Sequence, residues 1–232
     1  RLECKGQPTK SLLPGIVAEA IGELPGPKSM RWGTGSRLSW VRPLQSILCL
    51  LGGSVVPVEV HGLAACDRTR GHRFLAPEPF AVAGFADYKA KLLAHNVILD
   101  AAERRAKIKS EAERLAGEAG LRLREDASLL DEVTGLVEWP VVLIGTIDEG
   151  VMDLPPEVLA GAMRAHQKYF ALTRPDGRLA PRFLVVANLD GDARVRANIV
   201  AGNERVLRAR LADARFFWDQ DRKIRLEDRA LK

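Results

Sequence analysis

With 232 residues, 47% of them hydrophobic and 28% charged, the chain has the composition of an ordinary globular protein, long enough for one large domain or two small ones. No apolar run reaches membrane-spanning length and the opening RLECKGQ does not read as a signal peptide, so membrane insertion is excluded and the cytoplasm is the expected compartment. The formal net charge of +5 is unevenly spread, since residues 194–232 hold 11 Lys/Arg against 6 Asp/Glu and residues 28–73 hold 7 against Glu59 and Asp67. Segregated positive charge of this kind attracts phosphate backbones.

In chain order, residues 10–24 are predicted to form an amphipathic helix with Leu12, Leu13, Ile16, Val17, Ala20 and Ile21 on one side, stopped by Pro25-Gly26-Pro27. A Gly- and Arg-rich passage, MRWGTGSRLSWVRP, follows. The apolar run at 44–51 closes at Gly52-Gly53, and 55–60 reads as a strand. Cys4, Cys49 and Cys66 lack CxxC spacing and indicate neither a disulfide framework nor a zinc site, and Cys49 is expected in the core.

The segment CDRTRGHRF gathers Arg68, Arg70, His72 and Arg73 around Gly71, read as flexible, on a loop or strand end suited to phosphate or ribose. His72 has no acidic or cysteine partner at a dyad spacing, and His61, His72, His95 and His166 are scattered without HxH or HExxH spacing, so no catalytic residue and no metal ligand is expected.

Asp100, with Glu103 three residues on, caps a predicted helix that ends before Gly120 and buries Ile108, Ala112, Leu115 and Ala119. Its charged residues alternate in sign as on a salt-bridged solvent face. A second helix near 128–137, with Leu129, Leu130, Val133 and Leu136 inward, gives way at Pro140 to an apolar strand over 141–147. Pro155-Pro156 starts another helix, and Pro175-Asp176-Gly177 joins two strand-like runs as a hairpin, with Lys168 and Tyr169 at its base.

In the final region Val206, Leu207, Leu211, Ala214, Phe217 and Trp218 recur at helical steps and define a buried face. Arg208, Arg215, Arg222 and Arg229 are spaced by sevens, drift only about 20° per heptad, and are expected on the side away from that face. Trp139, Phe170 and Phe183 are also expected in the core. The pattern lacks a βαβ rhythm and predicts an α+β fold, with a mixed, largely antiparallel sheet, flanking helices and a C-terminal arginine-rich helical segment. There is no Gly-rich phosphate loop, nucleophile elbow or internal repeat.

GNERV at 202–206, ARLADA at 209–214 and FF at 216–217 with a following Asp219 resemble the bacterial glycyl-tRNA synthetase beta subunit family. MRWG at 30–33, VRP at 41–43, RGHRF at 70–74, LVEWPV at 136–141 and QKYF at 167–170 agree in the order that family shows. The resemblance implies an internal fragment of a longer polypeptide, in keeping with an opening that lacks methionine and an end within the charged run RKIRLEDRALK.

It further implies three regions. Residues 1–35 would be an N-terminal connecting segment, 36–193 an α+β domain similar to the editing-type domain of the phenylalanyl-tRNA synthetase beta chain, and 194–232 a helical segment leading onward. By the same resemblance the partners are an alpha subunit, in an α2β2 tetramer, and tRNA(Gly). ATP and Mg²⁺ serve glycine activation in the alpha subunit and no cofactor belongs to this segment.

Three roles compete: tRNA recognition, a scaffold for the alpha–beta interface, and aminoacyl-tRNA editing. Glycine is the smallest amino acid, so a tight synthetic pocket already rejects larger competitors by overlap, which ranks editing last. RNA contact ranks first, with Arg68, Arg70, His72, Arg73, Arg205, Arg208 and Arg215 as the expected RNA-binding residues, because positive charge collects at these two places without matching acid.

Overall fold

Val56, Val58 and Val60 are all buried, so the alternation at 55–60 does point every second side chain into a core. This is seen in a computed structural model, which describes residues 6–24, 26, 28–32, 39–223 and 228. Arg229 and the tripeptide turn at 25–27, apart from Gly26, lie outside the described residues, as do Cys4 and Gly33. The chain divides into two compact units, Arg1–Val97 and Ile98–Lys232.

The first unit runs α1 (Thr9–Glu23), β1 (Ile47–Leu48), β2 (Leu50–Leu51), β3 (Ser54–Val55), β4 (Glu59–Val60), β5 (Leu63–Cys66), β6 (Arg68–Arg70), β7 (Pro79–Ala81) and α2 (Phe85–Ala94). Strand β5 pairs parallel with β1 and antiparallel with β4, while β2–β3 and β6–β7 are antiparallel pairs. Gly52 and Gly53 turn β2 into β3 with positive φ of 57° and 78°, the left-handed pair that a two-residue hairpin requires. The core of Ile47, Val56, Val58 and Val60 is covered by Leu13, Val17 and Ile21 of α1, by Trp32 and by Cys49. Leu12 and Ile16, expected on the same helix face, are exposed instead, because the contact is a narrower stripe than the full apolar arc.

The second unit runs α3 (Ala101–Glu118), β8 (Arg122–Leu123), α4 (Ala127–Leu136), β9 (Val141–Thr146), α5 (Pro156–Ala162), β10 (Phe170–Thr173), β11 (Leu179–Ala187) and α6 (Ala193–Asp221). The sheet has four strands in the order β8-β10-β11-β9, all antiparallel. Asp100 accepts from the Ala102 N–H at 2.7 Å and Gly120 has φ +68°, so α3 starts and stops where its capping residues stand. At the hairpin, Asp176 accepts from the Arg178 N–H at 3.0 Å beside Gly177 at φ +85°.

Alternation across this sheet feeds two cores. Val142, Phe170, Leu172, Ala180 and Leu184 face Ile108, Ala112 and Ala116 of α3 and Leu129, Leu130 and Val133 of α4. Leu143, Ala171, Phe183 and Val185 face Leu159 of α5 and Leu207 and Leu211 of α6. A sheet buried on both faces needs strands apolar at nearly every position, which is why VVLIG and FLVV show no polar alternation.

The α+β class is as expected, with helices flanking a largely antiparallel sheet. Several packing expectations are corrected. Phe217 is 64% exposed and Val206 is exposed, since the packed seam of α6 runs through buried Leu207 and Leu211, with Ala214 and Trp218 half-buried along it, and leaves both to one side. Leu136 is exposed at the end of α4, Ala119 is exposed just past the end of α3, where Ala116 is buried in the stripe, and Trp139 is half-buried with the Lys107 ammonium 4.7 Å from its ring centre. Because α6 shares a core with the sheet, it belongs to the same compact unit as residues 98–193.

Candidate functional site

Strands β6 and β7 pair Arg68 with Ala81, Thr69 with Phe80 and Arg70 with Pro79, and the RGHRF segment leaves this ladder at Arg70. Gly71 then lies against the end of α2. A Cβ on it would stand 2.4 Å from the His95 Cβ and 2.5 Å from the His95 carbonyl oxygen. Its φ lies outside the left-handed region, so glycine is needed here for close approach and not, as expected, for flexibility. The His72 N–H donates to that same His95 carbonyl at 2.9 Å, and the His95 ring stacks on Phe80 with centroids 4.2 Å apart.

His72 is fully buried. Its Nδ1 accepts from the N–H groups of Phe74 at 3.3 Å and Leu75 at 3.2 Å, and its carbonyl accepts from the Ala76 N–H at 2.8 Å. His72 was expected among the RNA-contacting residues; in the structure its side chain has no accessible surface and shapes the loop. The Arg68 guanidinium donates to the Pro79 carbonyl at 2.8 Å and is thus tied to the neighbouring strand. Arg70 and Arg73 are exposed, and among the described residues no carboxylate pairs with either. The Arg73 guanidinium lies 5.3 Å from the ring centre of Phe74, which is itself 70% exposed.

In the second unit Asp192 caps α6 by accepting from the Val195 N–H at 2.9 Å. The GNERV motif then fastens the helix to the sheet. Asn203 Oδ1 accepts from the Tyr169 hydroxyl at 2.6 Å while its Nδ2 donates to the Ile199 carbonyl at 2.7 Å, and Glu204 accepts from the Thr146 N–H at 2.8 Å. Burial pushes the Tyr169 hydroxyl up to about 12, so it stays a donor at neutral pH. Asn203 and Glu204 were not singled out in the sequence. Their signal was the joint presence of GNERV and QKYF, two motifs that meet at this one hydrogen bond.

Arg208 Nε lies 2.6 Å from Asp148 Oδ2, and Arg215 pairs with Asp153 and donates to the Gly150 carbonyl at 2.6 Å. The premise that these arginines lack matching acid is therefore corrected. At 3.6 residues per turn, positions 208 and 215 stand roughly 80–100° from Leu207, beside the buried seam and within reach of the turn after β9, not behind it. Arg205 stands roughly 160° from Leu207. It is exposed, and no carboxylate pairs with it among the described residues.

Hydrogen bonds from Arg208 and Arg215 hold the Asp148 and Asp153 carboxyls below their ordinary range. A lowered folded-state value gives stability that is present above the unfolded value near ~3.9 and lost as pH falls below it. Acidification below about pH 4 will therefore loosen α6 in the wild type. In an Asp148→Asn/Asp153→Asn variant the acid-induced drop in Tm should be smaller, and an identical drop would show that the pairs contribute nothing.

A cleft of about 780 Å³ opens beside the β10–β11 hairpin, where Arg124, Arg174 and Arg178 face Glu149 and Glu157 over Leu154 and Leu159. A second, of about 360 Å³, lies between α3 and α4 with Ile108, Leu130 and Phe170 beneath a charged rim. Among the described residues no three His, Cys, Asp or Glu gather to hold a metal ion, and no helix is long and apolar enough to cross a membrane.

The family model described as glycyl-tRNA synthetase beta subunit matches residues 1–232. The chain is similar to the glycine–tRNA ligase beta subunit of Phenylobacterium zucineum, with 51% identity over 236 residues that cover 100% of this chain and 34% of that protein. Similarity to the protein of the same name from Rhodospirillum centenum is 50% over 255 residues, covering 98% of this chain and 35% of the relative. For that of Ruegeria sp. it is 50% over 227 residues, covering 96% and 33%. The chain thus spans about a third of the length of the curated relatives it matches.

Proposed function

Because the chain belongs to the glycyl-tRNA synthetase beta subunit family, we propose that it is the part of a glycine–tRNA ligase beta subunit that helps to hold tRNA(Gly) and to assemble with an alpha subunit. In this reading the alpha subunit activates glycine with ATP and Mg²⁺ within a cytoplasmic α2β2 complex, and the present segment supplies binding surface and no reacting group. The observation that carries it is the RGHRF loop, a rigidly supported turn that displays Arg70 and Arg73 to solvent with no carboxylate to neutralise them among the described residues.

Arg205 joins this set on the outer side of α6, and Arg68 adds charge at the base of the loop. Arg208 and Arg215 are assigned to docking α6, since an aspartate already engages each. Assembly is favoured by a separate feature of that helix. Phe216 and Phe217 are 58% and 64% exposed and pack edge-on at 5.5 Å, an apolar surface of the kind that partner chains cover.

The test is tRNA affinity of the full alpha–beta complex across a salt series. An Arg70→Gln/Arg73→Gln variant should flatten the log–log salt slope by just under one unit for each phosphate that is no longer neutralised, and weaken binding without regard to RNA sequence. Arg205→Gln should act in the same direction, and an Arg208→Gln/Arg215→Gln variant should leave the slope alone. Unchanged slopes for the first pair, with assembly intact by sizing, would remove the loop from the RNA surface.

A further inference from the structure

We infer that Phe74 is a stacking platform for an unpaired RNA base, an inference that rests on the RNA-facing reading of the RGHRF loop and names the kind of RNA that loop takes. Phe74 is 70% exposed, the most exposed aromatic of its loop, and its exposure is built in. The buried His72 ring accepts the N–H of Phe74 and of the residue after it, and the His72 main chain is itself bonded to the His95 carbonyl on one side and the Ala76 N–H on the other. Gly71 allows this only by its lack of a Cβ, which would collide with His95. The main chain that carries Phe74 is therefore held in place by several hydrogen bonds around a fully buried histidine.

The neighbours select the partner. Arg73 sits 5.3 Å from the Phe74 ring centre, and Arg70 opens the same five-residue segment, both without a carboxylate among the described residues. An exposed ring with one guanidinium over it and a second in the same segment, neither neutralised, suits a polyanion that carries flat faces of its own, which is a single-stranded nucleic acid: phosphates meet the arginines and a base lies on the ring. A paired base keeps both faces inside its own stack and offers none to Phe74. Loop ends and unpaired termini of an RNA are thus the chemical class of ligand.

The experiment uses the full-length beta subunit assembled with its alpha partner and two probes, a single-stranded oligoribonucleotide and a blunt RNA duplex of the same length. Phe74→Ala should weaken single-strand binding about fivefold or more, the lower end of what stacking on one aromatic provides, and leave duplex binding and the salt slope unchanged. Phe74→Trp should retain binding, whereas Phe74→Leu, apolar but not flat, should behave as the alanine variant. If Phe74→Ala and Phe74→Leu both bind single strands like wild type while Arg70→Gln/Arg73→Gln flattens the slope, the stacking role is overturned and the RNA-facing reading stands. If the arginine variants also bind like wild type, both fall. Loss of alpha–beta assembly in Phe74→Ala would overturn the inference by placing the ring in a protein interface.

Discussion

Replacing Phe183 by alanine will cost the second unit about 3–5 kcal/mol, a large share of a typical domain's stability. The ring is fully buried, stacks on Tyr169 at 4.7 Å, and fills the space above Gly145, where a Cβ would come within 2.5 Å of it. Gly145 is its direct cross-strand partner, so a small residue on β9 and a large one on β11 share one site. Truncating the ring empties that site while the strands, locked by their ladder, cannot close over it. The readout is amide exchange in β9 and β11 or the denaturation midpoint of that unit. Phe217→Ala is the control, at 64% exposure, and should fall within about 0.5 kcal/mol of wild type. Equal midpoints for the two variants would sink the core assignment.

Gly71→Ala is the second large effect. The new methyl group would overlap the His95 Cβ and the carbonyl oxygen that accepts from His72, and backbone on one side leaves no flexible side chain to give way. Overpacking of this kind costs about 1–3 kcal/mol, and relief requires the loop to lift from α2 and break the His72–His95 bond. Faster exchange at the Phe74 and Leu75 amides, with amides of β9 and β11 unchanged, is the expected pattern. Affinity for tRNA should fall with it, although both arginines are still present. Unaltered protection at Phe74 and Leu75 would show that the close approach is not needed.

The parts of the fold that could be read from sequence are those whose causes are local. Asp100 and Gly120 bracket α3, Pro175-Asp176-Gly177 makes its hairpin, and the apolar runs of β9 and β11 announce strands buried on both faces. What escaped depends on residues far apart in the chain. Asp148 and Arg208 are 60 positions apart, and Asp153 and Arg215 are 62 apart, so no spacing rule could couple them. Periodicity grouped Phe217 with Leu207 and Leu211 because an apolar arc can be wider than the surface it packs on, and only the position of the sheet decides which edge of the arc is left in water. The same holds at RGHRF. Charge and glycine marked it as a place of interest, but the burial of His72 and its bond to the distant His95 carbonyl follow from the fold, and no local spacing announces them.

The strand order of the second unit also sets a timetable for the nascent chain. Strand β9 is made before β10 yet has no partner until β11 exists, because among the described residues it pairs with β11 alone. Pairing between segments so separated must first overcome the cost of closing the loop between them, so the sheet assembles late. Its second face waits longer still: Leu159 of α5 is at hand for part of it, but the cover over Leu143, Phe183 and Val185 is complete only when Leu207 and Leu211 have been synthesised and α6 has docked. A ribosome that pauses between Ala187 and Leu207 would hold out a finished sheet with one oily side only partly covered, the form on which a chaperone binds most readily and a neighbouring chain aggregates.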